Sequence, residues 1–222
     1  MELGARLSAV ARLAAEGENI ADIGTDHGYI PVWLLKNRNK GRIAASDIGE
    51  GPLNSAKRTA EREGLEDSIE FILADGLSGL DEGFDTFIIA GMGGDTIIHI
   101  LDSAPFSLEN KRLVLQPQTR TDKLLKWLYA SGFTIKNAVL AKEAGRLYTV
   151  FEAGYAGKRR EISDAEANAV YLLKNDPLFS EYRMQLIRKL QASIKGLEMG
   201  KGTDGDKTSE LKKLLCEVDQ CC

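Results

Sequence analysis

Apolar positions along the chain fall into two rhythms. Short apolar, β-prone runs occur at 20–23, 43–47, 69–73, 84–90 and 112–116, the signature of strands. Between them and after the last, apolar residues recur at three- and four-residue spacing over 30–38, 52–63, 95–102 and 121–131, which predicts amphipathic helices. A helix is also expected at 2–16, where Leu3, Leu7, Val10, Ala11, Leu13 and Ala14 share a face and Arg6 and Arg12 lie among them. Strand alternating with helix through short turns implies an α/β fold, with a parallel sheet covered by helices on both faces. Right-handed crossovers then bring the strand C-terminal ends to one edge, where ligands bind.

The pattern changes after residue 131. Thr134–Ala141 and Gly145–Ala153 are strand-like and joined by a short charged turn, which reads as a hairpin. Lys158-Arg159-Arg160 has the texture of a linker, so a first domain is expected at 1–155 and a helical one at 156–222. Ser163 and Glu166 have capping-box spacing and open a helix to about Lys174. Asp176-Pro177 starts a longer helix with Phe179, Tyr182, Leu186, Leu190, Ile194 and Leu197 on one face. After a turn at 200–206, Leu211, Leu214, Leu215 and Val218 form a returning stripe, so the two helices are expected to pack as an antiparallel, coiled-coil-like appendage.

With 222 residues, 43% of them hydrophobic, the chain has ample apolar surface for a packed core. No apolar run reaches the roughly 18 residues a membrane span needs, and the opening Met1-Glu2-Leu3 resembles no signal peptide, so a cytoplasmic protein without membrane contact is expected. Cys216, Cys221 and Cys222 crowd the C-terminus without metal-ligand spacing and are expected as reduced thiols. Net charge is −4, so any attraction to nucleic acid must come from a local patch. The run 183–195 offers one: Arg183, Arg188, Lys189 and Lys195 without an acid, with Arg188 and Lys195 on a shared face.

The chemistry concentrates at the ends of the strands. Asp22-Ile-Gly24-Thr-Asp26-His27-Gly28 follows the first strand as a glycine-bearing turn leading into a helix. Gly24 lets the backbone turn tightly and approach a ligand. A dinucleotide loop would present free amides to a pyrophosphate and follow Gly-x-Gly-x-x-Gly. That match fails, and Asp22 and Asp26 would repel a pyrophosphate. Carboxylates suit a ligand bearing an ammonium and a sulfonium, which makes this a candidate S-adenosylmethionine loop with Gly28 as its last glycine. Asp47-Ile48 ends the second strand where a ribose diol would be held. Asp75-Gly76 ends the third, with a carboxylate for an adenine amino group and room for the ring.

The fourth strand ends in Ala90-Gly91-Met92-Gly93-Gly94-Asp95. Methyltransferases acting on exocyclic amines carry an Asn/Asp-Pro-Pro-aromatic motif there, and its absence favours a ring nitrogen as methyl acceptor. Asp95 is expected to cap the following helix. Gln116-Pro117-Gln118 ends the fifth strand, where an amide can read a base. His27 is expected in the site, His99 as a packed or partly exposed helix residue. No second histidine is placed to complete a metal site, so none is expected.

The segments Asp22–Pro31, Gly51-Pro52, Ile89–Gly94 and Leu115–Pro117 together resemble the bacterial tRNA adenine-22 N1-methyltransferase family. The Asp-His pair and the Gly-Met-Gly-Gly block are its specific features. The resemblance implies a Rossmann-like class I methyltransferase sheet with a C-terminal helical appendage, and S-adenosylmethionine as methyl donor. It further implies tRNA as partner, Asp26 as catalytic aspartate, and cofactor contacts from Gly24, Asp47, Asp75 and Gly76. Asp22, Gly28, Ile48 and Gly91 complete the expected cofactor-binding set. His27, Met92, Gln116, Pro117, Arg188 and Lys195 are the candidates for the substrate side. Gln118 stands where many members have asparagine. A monomer is expected. Two other functions fit the fold: a small-molecule methyltransferase, disfavoured by the appendage and the lack of a lid insertion, and a non-catalytic RNA-binding protein, disfavoured by the retained Asp22, Asp47 and Asp75.

Overall fold

The computed structural model describes residues 1–14, 18–37, 41–199 and 205–220. Helix α1 (Ala5–Leu13) leads into β1 (Ile20–Ile23). Then follow α2 (Tyr29–Asn37), β2 (Ile43–Asp47), α3 (Glu50–Glu63), β3 (Glu70–Leu73), β4 (Thr86–Gly93), α4 (Gly94–Asp102), β5 (Arg112–Thr119) and α5 (Thr121–Ala130). The hairpin is β6 (Phe133–Glu143) and β7 (Arg146–Tyr155). Short helices α6 (Asp164–Ala167) and α7 (Val170–Leu173) precede α8 (Phe179–Met199) and α9 (Gly205–Gln220).

The strands form one seven-stranded sheet in the order β3-β2-β1-β4-β5-β7-β6. The first five are parallel, and β7 inserts antiparallel between β5 and β6. Alternation along each strand feeds two cores. Phe87 and Ile89 of β4 and Leu113 and Leu115 of β5 pack with α4 and α5, while Ile88 and Val114 face the layer of α1, α2 and α3. The expected helices on both faces follow from this alternation.

Two elements differ from expectation. Strands β4 and β5 run past residues 90 and 116, paired as Met92 with Pro117 and Gly93 with Thr119 across register shifts on either side of Met92. The glycines permit this close approach: a Cβ at Gly94 would lie 2.4 Å from the Arg120 carbonyl oxygen. The single helix expected from Ser163 to Lys174 is broken. Ser163 and Glu166 do form the capping box, but Ala169 takes a left-handed φ of 57° and splits the segment into α6 and α7. Ala169 is fully buried, so packing overrides its helical preference.

The C-terminal helices run antiparallel, since Arg183 near the start of α8 meets Asp219 near the end of α9 and Glu198 meets Lys212. Arg183 also donates to the Val218 carbonyl at 2.8 Å, satisfying the end of α9. Leu186, Leu190, Leu214 and Val218 of this pair belong to the same continuous core as Leu113 and Phe151 of the sheet. The expected turn at 200–206 lies mostly outside the described residues, with Gly205 and Asp206 already in α9. Cys221 and Cys222 also lie outside them, while Cys216 is free and exposed.

Candidate active site

A cleft of about 560 Å³ opens at the C-terminal ends of β1, β2 and β4. Its deepest carboxylate is Asp22, 4% exposed, which accepts a hydrogen bond from Thr25 Oγ1 at 2.8 Å. Burial pushes the Asp22 carboxyl up to about 7; the Thr25 bond opposes this and Asp47 adds to it. A carboxylate so placed is stabilised by an arriving cation. Above it, Gly24 has φ +71°, and an added Cβ would lie 2.2 Å from the Met92 methyl carbon.

Asp26 adopts φ +52°. It thus occupies the place of the middle glycine in the common loop signature and keeps a left-handed backbone, a conformation Asp and Asn adopt more readily than other side-chain-bearing residues. Its amide donates to Asp47 Oδ2 at 3.3 Å, and Asp47 Oδ1 accepts from the Gly49 amide at 2.9 Å. The first and second strand ends are therefore latched together. The Asp26 carboxylate itself points outward, with its side chain 69% exposed, 3.6 Å from His27 Nε2. His27 stacks on Tyr29 with centroids 5.3 Å apart. Ile48, Asp75, Gly76 and Gly91 also line the cleft, and Ile48 presents an exposed apolar side chain.

Five of the expected site residues lie outside the cleft lining. Gly28 is turned toward α3, where an added Cβ would sit 2.9 Å from the Ala56 Cβ; it closes the loop against a helix and does not line the cleft. Gln116 is fully buried. Its Oε1 accepts from Arg6 Nη1 at 2.8 Å and the Gly91 amide at 3.2 Å, and its Nε2 donates to the Pro117 carbonyl at 3.0 Å. Buried and with these bonds made it cannot read a base; it holds Arg6 and the Gly91 amide at the cleft. Pro117 is buried and borders a second groove. Arg188 and Lys195 are exposed on α8, outside the cleft lining. Asp95 makes no cap and instead pairs with Lys123.

The cleft also holds residues set aside or unremarked in the sequence. Arg6 reaches in from α1, held by Gln116 and lying 5.7 Å from the Tyr148 ring centroid. Glu143 fixes that helix by accepting from the Arg6 amide at 3.0 Å. Thr96, His99 and Ile100 line the floor from one face of α4. Their three- and four-residue spacing was a usable signal, but only once the cleft side of α4 was known. Among the described residues no cluster of His, Cys, Asp and Glu could hold a metal.

The residues lining the cleft have the chemistry S-adenosylmethionine needs: a buried carboxylate at Asp22, a guanidinium at Arg6, a hydrogen-bond acceptor at Asp47 and an exposed apolar side chain at Ile48.

The chain matches the model of a methyltransferase domain over residues 3–151. It therefore belongs to the methyltransferase domain family. It is 35% identical to the tRNA (adenine(22)-N(1))-methyltransferase of Bacillus subtilis over 85% of this chain and 80% of that protein. Several solved structures are similar over nearly their whole length, among them the following two. The Bacillus subtilis m1A22 tRNA methyltransferase TrmK has a TM-score of 0.78 at 30% identity, covering 98% of each chain. TrmK of M. capricolum, in complex with the cofactor product S-adenosyl-homocysteine, has a TM-score of 0.82 at 27% identity, covering 99% of this chain and 97% of that one. Within the methyltransferases, this chain belongs to the tRNA (adenine(22)-N(1))-methyltransferase family.

Proposed function

We propose that the chain methylates N1 of adenine-22 in tRNA, using S-adenosylmethionine, and does so in the cytoplasm. One observation carries the proposal: a single loop, Asp22–Gly28, ends in a buried carboxylate on one side and an exposed Asp26-His27 pair on the other, both facing the same cleft. S-adenosylmethionine supplies an electrophilic methyl group, for which the in-plane lone pair of adenine N1 is the acceptor.

The residues divide the work between donor and acceptor. Asp22, Asp47 and Arg6 would hold the polar groups of the donor, and Asp75 with Gly76 its adenine. The end of β4 carries glycines in place of an amine-binding motif, which suits an acceptor nitrogen whose lone pair needs no reorientation. The target base would have to leave its stack, at roughly a few kcal/mol. His27 and Tyr29 provide an exposed aromatic surface for the extruded ring. Asp26 would accept from the adenine N6 amino group, fixing the ring and favouring the positive charge that develops on the methylated base. Most of the rate would come from positioning, for which roughly 7–11 kcal/mol is attainable in favourable cases.

The test compares two unmodified tRNA transcripts, incubated with the protein and S-adenosylmethionine carrying a labelled methyl group. Label is expected in the transcript with adenine at position 22 and absent when guanine replaces it. Equal labelling of both transcripts, or of neither, contradicts the proposal.

A further inference from the structure

A second groove of about 550 Å³ lies beside the first, between the end of β5, the β6–β7 turn and α8. Gln118 borders both, so the two are contiguous at that side chain. Tyr148 lines the second groove and also packs against Arg6 of the first. Three cations line it from three separate elements: Arg120 before α5, Arg146 at the start of β7 and Lys189 on α8. All three are exposed, and among the described residues none forms an ion pair. Arg120 acts at longer range on Asp95, whose direct partner is Lys123. The one acid in the lining is Asp122.

A concave surface with an excess of unpaired cations and an aromatic ring suits a nucleic-acid strand. The cations meet successive phosphates and the ring meets a base face. The chain is acidic overall, so three cations gathered in one groove are not explained by its general charge. Both walls are also set by left-handed backbone. Arg120 has φ 57°, and Ala144 and Gly145 in the hairpin turn have φ 49° and 76°. Such conformations persist where surrounding structure enforces them.

We infer that this second groove holds the RNA backbone next to the target adenosine and feeds the base past Gln118 into the first cleft. The inference rests on reading the first cleft as a tRNA methylation site. It replaces the surface suggested by sequence spacing. On α8 it is Lys189 that lines the groove, whereas Arg188 and Lys195 lie outside it and Arg183 is engaged at the end of α9.

The experiment measures binding of unmodified tRNA across a salt series for wild type, for the triple variant Arg120→Glu, Arg146→Glu, Lys189→Glu, and for Arg188→Glu with Lys195→Glu. S-adenosylmethionine affinity and thermal stability of each confirm the fold. The groove variant should lose about tenfold or more in tRNA affinity, with the slope of log affinity against log salt flattened by about 2 for a single-stranded contact. Its S-adenosylmethionine affinity should be unchanged, and the α8 double variant should lose less. A groove variant that binds tRNA as wild type does, or an α8 variant that loses more, overturns the inference. A wild type that binds tRNA through these residues but leaves adenine N1 unmethylated overturns the reaction and not the groove.

Discussion

At the scale of single residues, the proposed site sets two carboxylates in opposite surroundings. Asp26 is exposed and left-handed, so its charge and its backbone can be tested separately. Asparagine tolerates the same φ, whereas alanine would be strained. Asp26→Asn should therefore keep S-adenosylmethionine affinity and lower the single-turnover methylation rate by about tenfold or more, in the range of an ionic hydrogen bond strengthened in the transition state. Full turnover with intact tRNA would remove its charge from the mechanism. Asp22 is buried, with its carboxyl raised to about 7. Two consequences follow from that direction. The folded state binds the proton more tightly than the unfolded one, so this group's contribution to stability is present below its ordinary value and is lost as pH rises toward 7. If the Asp22 carboxylate holds the cofactor ammonium as proposed, binding needs its ionised form, and affinity should rise by up to tenfold per pH unit below 7 and level off above it. Calorimetry across pH 5.5 to 8 checks this, and Asp22→Asn should flatten the profile.

At the scale of elements, the alternation of strands and helices was legible because periodicity is a local property. The ends of β4 and β5 were not. Gly91, Gly93, Pro117 and Gln118 carry no apolar rhythm, and they remain in the sheet through pairing across the register shifts beside Met92. Asp22, Asp47 and Asp75 were readable as cleft residues because each lies at or just beyond the C-terminal end of a strand. Arg6 and His99 were not, since which face of α1 or α4 meets the cleft is decided by docking. Gln116 was noticed for its type and assigned the wrong partner, because burial was invisible in the sequence. Its structural role makes a specific prediction. Gln116→Leu strips the acceptor from Arg6 and the Gly91 amide, and an unsatisfied buried donor costs about 1–3 kcal/mol. It should weaken S-adenosylmethionine binding about tenfold, and Gln116→Glu, which keeps an acceptor for Arg6, should recover much of that. Equal losses in the two variants, measured by calorimetry, would mean that the residue only fills space.

At the scale of the whole molecule, the helical end and the sheet share one core, as Leu173, Phe179 and Leu190 cluster with Leu113, Leu128 and Phe151. The Asp176 side chain adds a tie, accepting from the Leu140 amide of the edge strand β6 at 2.8 Å. Leu173 is fully buried, so Leu173→Ala should cost about 2–5 kcal/mol and shift a single unfolding transition of the whole chain. A separate, earlier transition confined to residues 156–220 would show instead that the helices unfold on their own. The same unity would hold an RNA strand, bound in the proposed groove between the hairpin turn and α8, in register with the cleft. The account of donor and acceptor meeting across one loop is tested most directly by the identity of the methylated nucleoside. Unmodified tRNA reacted with S-adenosylmethionine and digested to nucleosides should yield 1-methyladenosine, and only when the transcript carries adenine at position 22. N6-methyladenosine, or a methyl group on any other base, would contradict it.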